Sequence, residues 1–451
     1  MLGSLFMPCS LSKNDHIHVN CSQLGPHGDG IAYHENHKIY ISEFIPGETG
    51  VAHILKSYRH HAFARLKDLI SSSDKRRKPP CGIASRCGGC TLQHIQYEHQ
   101  LSLKKSYLER HFHPYPIYPI IPCPDEFSCR NKAQFAIQKD PKKNMITVGL
   151  YAKHSHQVVD TEECLVLYPE LNILLNQFKS FLKVTKESVY DEKTQEGFLR
   201  HLVLRYSPET NEAMLALVAT NSVFSEKEMF CQFFRDIPFI RSILLNINQD
   251  PGDTVIGKNN IVLYGQDHIL DKIGSLQFFC QLNTFMQVNP QQRLALYKVI
   301  QNHILPGHTL WDLYCGVGSI TLFLQSQFQQ VIGIESDEQS IDLAKKNAAL
   351  NGIHHARFFH SKSEDADLKI GQNDSVVLDP PRKGCHPTLL KKLCELKPKC
   401  IIYVSCNPMS CLRDLDILKR EYQVHFIQPV DLFTQTMHIE TVLLLTPHTS
   451  T

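Results

Sequence analysis

The hydrophobic positions change period along the chain. Residues 13 to 67 hold short alternating runs, "HIHVNCSQL", "KIYISEF" and "GVAHILKSY", interrupted by "GPHGDGIA" and "IPGETG". Period-two alternation bounded by Gly and Pro turns predicts short strands rolled into a small barrel. A cysteine-rich stretch follows, "CGIASRCGGCTLQHIQYEHQLSLKKSYLERHF", whose later part predicts a helix with Leu92, Ile95, Leu101, Leu103 and Leu108 as its apolar members. From about Asn131 to Gly274, runs such as "RHLVLRYS" and "EAMLALVAT" alternate with shorter helical ones, which predicts a mixed α/β module.

From Pro306 onward the pattern becomes a regular strand-helix alternation. "HTLWDLYCGVGS" predicts a strand running into a glycine turn, and "QVIGIE" a second strand. "DEQSIDLAKKNAALNG" is an amphipathic helix with Asp337 as its N-cap and Gly352 as its stop. "SVVLDPP", "CIIYVSCNP", "VHFIQPVDL" and "IETVLLLTP" supply four more strands. Such alternation predicts a parallel sheet with helices on both faces. At 451 residues the chain is too long for one hydrophobic core. The expected division is 1–72 for the barrel, 73–284 for the central module and 285–451 for the α/β domain.

Composition changes this picture little. A formal charge of +2 is compatible with a local basic groove, so any case for nucleic acid rests on clusters such as "SSSDKRRKPP", a linker or RNA-facing loop. No window reaches the roughly 18 to 20 apolar residues of a membrane span, and the N-terminus lacks the pattern of a signal peptide. The expectation is a cytoplasmic protein with no membrane partner and no feature calling for an obligate protein partner. In a reducing compartment its sixteen cysteines are thiols, metal ligands or catalytic groups rather than disulfides.

The chemistry gathers at predicted strand ends. In a doubly wound sheet ligands bind beyond the carboxyl ends of the strands, where Asp312, the Gly316 and Gly318 turn, Glu335, Asp379 and Cys406 all fall. Glu335 lies about twenty residues past the glycine turn, where a carboxylate can hold both hydroxyls of a ribose. "CGVGSI" lacks the third glycine of a dinucleotide site, so a nucleoside cofactor without a pyrophosphate, S-adenosylmethionine, fits better. In "LDPPRKG" two prolines fix the backbone after Asp379, and Arg382 stands where amino-group methyltransferases place an aromatic residue. That departure points away from exocyclic amines and towards a different target atom, of which carbon 5 of a pyrimidine is one. Carbon 5 becomes nucleophilic only after a thiolate has added to carbon 6, and a base must then remove its proton. Cys406 in "YVSCNP" and Glu440 in "TMHIE" are the candidates for those two roles.

Taken together, "FMQVNP", "DLYCGVGS", "GIESDEQSIDLAKKNAALNG", "LDPPRKG", "YVSCNP" and "QPVDLFTQTMHIE" resemble the RNA uracil-5 methyltransferase family over nearly the whole chain. The resemblance implies a Rossmann-like methyltransferase domain in which Gln287, Tyr314, Glu335 and Asp379 bind S-adenosylmethionine, Cys406 is the nucleophile and Glu440 the base. Asparagines that some members carry near the glycine turn and after the next strand are replaced here by Ser319 and by Lys362 or Ser363, and no role is carried over to them. "GDGIAYHENHKIYISEFIPGE" looks like a TRAM domain, an OB-like RNA-binding module, which points to ribosomal RNA, 23S in the TRAM-containing branch, with transfer RNA as the alternative. An RNA cytosine-5 methyltransferase also needs a cysteine nucleophile, but its Asp-Ala-Pro-Cys turn and Thr-Cys pair are missing. A non-catalytic RNA-binding assembly factor is a third reading, opposed by the intact Cys406 and Glu440.

The cysteine cluster is Cys81-x5-Cys87-x2-Cys90, with Cys164 in "DTEEC" as a fourth ligand. Four thiolates hold zinc or a [4Fe-4S] cluster, and the spacing fits both. The ribosomal branch of the family implies iron. Arg130, Lys132, Arg200 and His201 match family positions facing RNA or the cleft, and read equally as surface cations.

Overall fold

The computed structural model describes residues 11–140 and 145–448. Contacts within the chain define two units. One comprises residues up to Leu108 together with Phe433–His438, and the other comprises Glu109–Leu432 together with the chain from Ile439 on.

In the first unit, β1 (His16–Asn20), β2 (Gln23–Leu24), β3 (Gly30–His34), β4 (His37–Ser42), β5 (Thr49–Ser57) and β6 (His61–Ser71) form one sheet in the order β1-β5-β6-β4-β3-β2. The alternation read from the sequence places Val19, Ala32, Ile39, Ile41, Ala52, Ile54, Ala62 and Ala64 in its core. The other face carries aromatic rings between cations. Tyr40 stacks on Phe63 at 5.5 Å and Tyr58 on His61 at 4.8 Å, while the Lys38 and Lys56 ammonium groups each lie 4.9 Å from a tyrosine ring centre.

The basic run after β6 is not wholly solvated. Arg76 grips buried Glu48 through both carboxylate oxygens at 2.6 Å, and Arg77 Nε donates to the Gln93 carbonyl at 3.0 Å. Helix α1 spans Tyr97–Phe112, so Leu92 and Ile95 precede it rather than belong to it. Both are buried, but the Leu92 amide donates to the Gln435 carbonyl and Arg76 bridges to Ile95. Long-range partners take the backbone groups that a helix needs.

The second unit begins with β7 (Lys132–Asp140), β8 (Met145–Tyr151), β9 (Val158–Asp160), α2 (Pro169–Leu182), β10 (Leu199–Ser207), β11 (Glu212–Ala219), α3 (Lys227–Phe234), β12 (Ile240–Ile247) and β13 (Asn259–Gly265). The seven strands pair in the order β13-β12-β11-β10-β7-β8-β9, and Phe178, Phe181, Phe230 and Phe234 of the two helices pack on Leu202, Leu204, Leu215 and Leu217. The mixed α/β reading of this region holds. A hairpin, β14 (His268–Ile273) and β15 (Leu276–Gln281), follows.

The last sheet is built from α4 (Pro290–His303), β16 (Thr309–Asp312), α5 (Ser319–Phe323), β17 (Gln330–Glu335), α6 (Glu338–Leu350), β18 (Ala356–His360), β19 (Ser375–Leu378), α7 (Pro387–Leu396), β20 (Cys400–Ser405), α8 (Pro408–Leu418), β21 (Tyr422–Val430) and β22 (Glu440–Pro447). Its order is β18-β17-β16-β19-β20-β22-β21. The first five strands are parallel, and every residue of β16, β19 and β20 is buried, as in a sheet covered on both faces. One expectation is corrected: β22 runs antiparallel between β20 and β21. Parallel neighbours need a crossover of a dozen or more residues, and only the nine residues 431–439 join β21 to β22. Strand order reverses between β16 and β19, which opens a crevice at their carboxyl ends.

Candidate active site

The glycine turn after β16 takes its shape from two left-handed residues, Gly316 at φ 52° and Gly318 at φ 79°. A methyl group on Gly318 would meet the Phe358 ring at 2.9 Å, whereas one on Gly316 would meet nothing within 4 Å. Packing therefore forces the second glycine, and the first faces open space. The Glu335 carboxylate, ending β17, accepts from the Gly316 amide at 3.2 Å and from the Ser336 and Asp337 amides at 2.6 and 3.0 Å. Asp337 caps α6 by accepting from the Ser340 amide at 2.8 Å, as read from the sequence.

Asp312 closes β16, fully buried, with Thr321 Oγ1 donating to it at 2.7 Å; burial lifts its pKa to about 6. Asp379 follows β19, and burial with the charge of Asp312 lifts it to about 7. Tyr314 is half-buried in the glycine turn, its hydroxyl pushed up by burial and by Cys385. Gln287 is buried in the segment before α4, which is fixed where the Asn131 amide donates to the Val288 carbonyl at 2.8 Å.

Cys406 and Glu440 meet through the antiparallel strand. The β20–β22 ladder ends at the pair Ser405–Thr441, so Cys406 and Glu440 are the next residue on each side. Glu440 is 2% exposed, its Oε2 has no hydrogen-bond partner among the described residues, and burial and Asp379 lift its pKa to about 8. The half-buried Cys406 thiol is pushed up to about 11 by burial and by the charges of Glu440 and Asp379, with Arg382 opposing. Burial and like charges disfavour anions, so both groups rest protonated near neutral pH.

Sequence reasoning missed the frame that holds these turns. Asp414 of α8 accepts from the Tyr403 hydroxyl and the Cys385 amide, each at 2.7 Å, and Asn407 Nδ2 donates to the Arg382 carbonyl at 2.9 Å. The Asp-Pro-Pro-Arg turn is thus fastened to the segment bearing Cys406. Tyr403 and Asp414 lie eleven residues apart, on a strand and the helix after it, and only the fold brings them together. Phe285, 71% exposed two residues before Gln287, was also missed, although an aromatic in "FMQVNP" is itself a signal.

Arg200 and His201 are not surface cations. Arg200 is buried, donates to the carbonyls of Asn248 and Asp250 at 2.7 and 2.8 Å, and lies 4.5 Å from the Tyr190 ring centre. His201 is buried beside it and lowered to about 4 by burial and that charge. Burial and Arg205 lower Lys132 to about 7, and Arg130 is half-buried. Ser319 meets the Tyr297 hydroxyl at 2.7 Å, and Ser363 donates to the Leu313 carbonyl.

Cys81, Cys87 and Cys90 belong to the first unit and Cys164 to the second. Cys87 and Cys90 are buried, and the Gly89 amide donates to Cys87 Sγ at 3.4 Å. Among the described residues no group of three or more His, Cys, Asp or Glu side chains converges as a metal site.

Comparison with known proteins places this geometry. The tRNA (Uracil-5-)-methyltransferase family model matches residues 352–448, and that of the Methyltransferase small domain matches residues 292–393. An uncharacterized RNA methyltransferase of Clostridium tetani is 33% identical over 449 residues, 97% of this chain and 97% of the relative. One of Bacillus cereus is 34% identical over 449 residues, 96% of this chain and 97% of the relative. The structure of Pyrococcus abyssi tRNA (uracil-54, C5)-methyltransferase in complex with S-adenosyl-L-homocysteine superposes with a TM-score of 0.79 at 28% identity, covering 95% of this chain and 100% of that one. Identity of a third sustained along nearly the whole length establishes that the chain belongs to the RNA (uracil-5-)-methyltransferase family and is an S-adenosylmethionine-dependent RNA methyltransferase.

Proposed function

We propose that the protein makes 5-methyluridine in RNA, with Cys406 as nucleophile and Glu440 as base. The adjacency of Cys406 and Glu440 at the end of the β20–β22 ladder carries this reading, since one group must reach carbon 6 and the other the proton on carbon 5. S-adenosylmethionine, when bound, supplies an electrophilic methyl group. Glu335 would hold the ribose hydroxyls, and Tyr314, Gln287 and Asp379 would hold the rest of the cofactor. Phe285 offers an exposed ring on which the uracil stacks.

The Cys406 thiol gives up its proton to solvent, the thiolate adds to carbon 6, and the pair of the C5–C6 double bond is released to make carbon 5 nucleophilic. After carbon 5 has taken the methyl group, leaving S-adenosylhomocysteine, Glu440 in its carboxylate form takes the carbon 5 proton, the double bond re-forms, and the sulfur leaves with its electron pair. The lift of Glu440 to about 8 gives a carboxylate the proton affinity that this step needs.

The chain reads as a TRAM module over 1–72, a central domain over 73–284 and the methyltransferase domain over 285–451. The rings and lysines on the open face of β4, β5 and β6 suit unpaired nucleotides, which stack on aromatics while cations meet the phosphates. Cys81, Cys87 and Cys90 of the first unit would supply thiolates to a [4Fe-4S] cluster, which would lend rigidity to the segment that carries them. The substrate is 23S ribosomal RNA, on the strength of the TRAM-like module. The names of the archaeal enzyme and of the family model favour transfer RNA as the second reading. Mapping 5-methyluridine by mass spectrometry in both RNAs from a deletion strain decides: a missing mark in 23S RNA supports the first, one in transfer RNA the second, and none in either refutes both.

A further inference from the structure

The chain leaves the last sheet after β21, contributes Phe433–His438 to the first unit, and re-enters as β22 with Glu440 at its start. Within the first unit that six-residue loop is held at its middle. Gln435 is fully buried, and its backbone is left-handed at φ 63°, a conformation a side-chain-bearing residue keeps only when its surroundings impose it. Its carbonyl accepts from the amides of Thr91 and Leu92 at 2.8 and 3.0 Å, the two residues directly after Cys90. Its side-chain oxygen accepts from Gln100 Nε2 at 3.1 Å and Arg77 Nη2 at 3.4 Å. Buried Lys104 donates to the Phe433 carbonyl at 3.1 Å, and Thr436 Oγ1 donates to the same carbonyl at 2.9 Å. Every one of these bonds lies inside the first unit, and Gln435 is five residues from Glu440.

We infer that Gln435 is a positioning residue through which the cysteine-bearing segment, from Arg77 to Gln100, sets the register of Glu440 at the start of β22. This rests on the proposed role of Glu440 and deepens it: the base stands on a loop anchored by the segment that carries Cys81, Cys87 and Cys90. The anchor bears on one half of the reaction. Addition of the Cys406 sulfur to carbon 6 and methylation of carbon 5 do not use Glu440. Loss of the carbon 5 proton to its carboxylate, with the electron pair re-forming the double bond and the carbon–sulfur pair returning to Cys406, does. A displaced Glu440 therefore lets the adduct form and slows its release.

The test follows the covalent enzyme–RNA species on a denaturing gel, in single turnover with S-adenosylmethionine, for the wild type, Gln435→Ala, Gln435→Glu and Glu440→Gln. Gln435→Ala should form the adduct at the wild-type rate and release it about tenfold or more slowly, a displacement effect. Gln435→Glu keeps the acceptor for Arg77 and Gln100 and should restore most of the release rate. Added to Glu440→Gln, the alanine change should slow release no further. A purely structural role would lower formation and release together and would shift cofactor affinity, measured by calorimetry on the same preparations. Wild-type release by a folded Gln435→Ala, with Glu440→Gln still trapping the adduct, overturns the inference. Failure of Glu440→Gln itself to trap an adduct refutes instead the role of Glu440 on which it rests.

Discussion

Cys406 and Glu440 stand opposite each other because β22 runs antiparallel to β20, each one residue beyond the pair Ser405–Thr441 that ends the ladder. An all-parallel sheet would carry the start of β22 to the far edge and leave the base remote from the sulfur. The inserted strand is thus the topological device that brings Cys406 and Glu440 together.

Glu335 is tied to three backbone amides, so its carboxylate is oriented before any ligand arrives. Glu335→Ala should weaken S-adenosylmethionine binding by about 1.5 to 3 kcal/mol, the worth of charge-assisted hydrogen bonds. RNA affinity should be unchanged. Titration calorimetry measures the first and filter binding the second, and an unaltered cofactor affinity would remove Glu335 from the ribose.

Asp414 holds the turn after Asp379 to the strand before Cys406. Asp414→Ala leaves the Tyr403 hydroxyl and the Cys385 amide without their acceptor, which should cost about 2 to 3 kcal/mol in urea unfolding. Tyr403→Phe should cost less, and the double variant should fall short of the sum, since the two changes break one shared bond.

The raised carboxyl of Glu440 sets a pH signature. Its pKa moves from 4.5 to about 8 on folding, so the folded state binds a proton that the unfolded chain gives up between those values. Its contribution to stability is present below pH 4.5 and is lost as the pH rises towards 8. Glu440→Gln should therefore flatten the fall in melting temperature between pH 5.5 and 8.5. In the proposed reaction the sign is opposite: with the carboxylate as the active form, release of the adduct should accelerate as the pH approaches 8. A release rate flat across this range would contradict the assignment.

Much of this site is legible in the sequence, for a physical reason. Asp312, Gly316, Gly318, Glu335 and Asp379 each mark the end of an apolar run, and strand ends converge in any doubly wound sheet. Asp337 caps α6 through a local bond that needs no tertiary context. What is illegible depends on distant partners. Leu92 has helical spacing but lies outside α1 because Gln435 takes its amide. Arg76 lies in a run that reads as a linker or RNA-facing loop, yet Glu48, twenty-eight residues earlier, fixes it internally. The acceptor role of Asp414 and the antiparallel entry of β22 are likewise set by pairing across the fold.

Anaerobically purified protein should be brown and carry about four irons per chain, the stoichiometry of a four-thiolate cluster. Cys87→Ser or Cys90→Ser should bleach it and lower the yield of soluble protein. Because Thr91 and Leu92 anchor Gln435, any soluble fraction should also release the RNA adduct slowly. Metal analysis finding stoichiometric zinc without iron would overturn the cluster assignment.

The central claim is that one sulfur and one carboxylate act at opposite ends of a single covalent intermediate. The direct measurement is a denaturing gel of labelled RNA incubated with S-adenosylmethionine and wild type, Cys406→Ala or Glu440→Gln, together with wild type on RNA carrying 5-fluorouridine. Cys406→Ala should give no shifted band on either RNA. Glu440→Gln should accumulate a stable adduct on ordinary RNA, and the fluorinated RNA should trap the wild type in the same way, since fluorine cannot leave as a proton does. A shifted band from Cys406→Ala, or ordinary turnover by Glu440→Gln, would contradict the account.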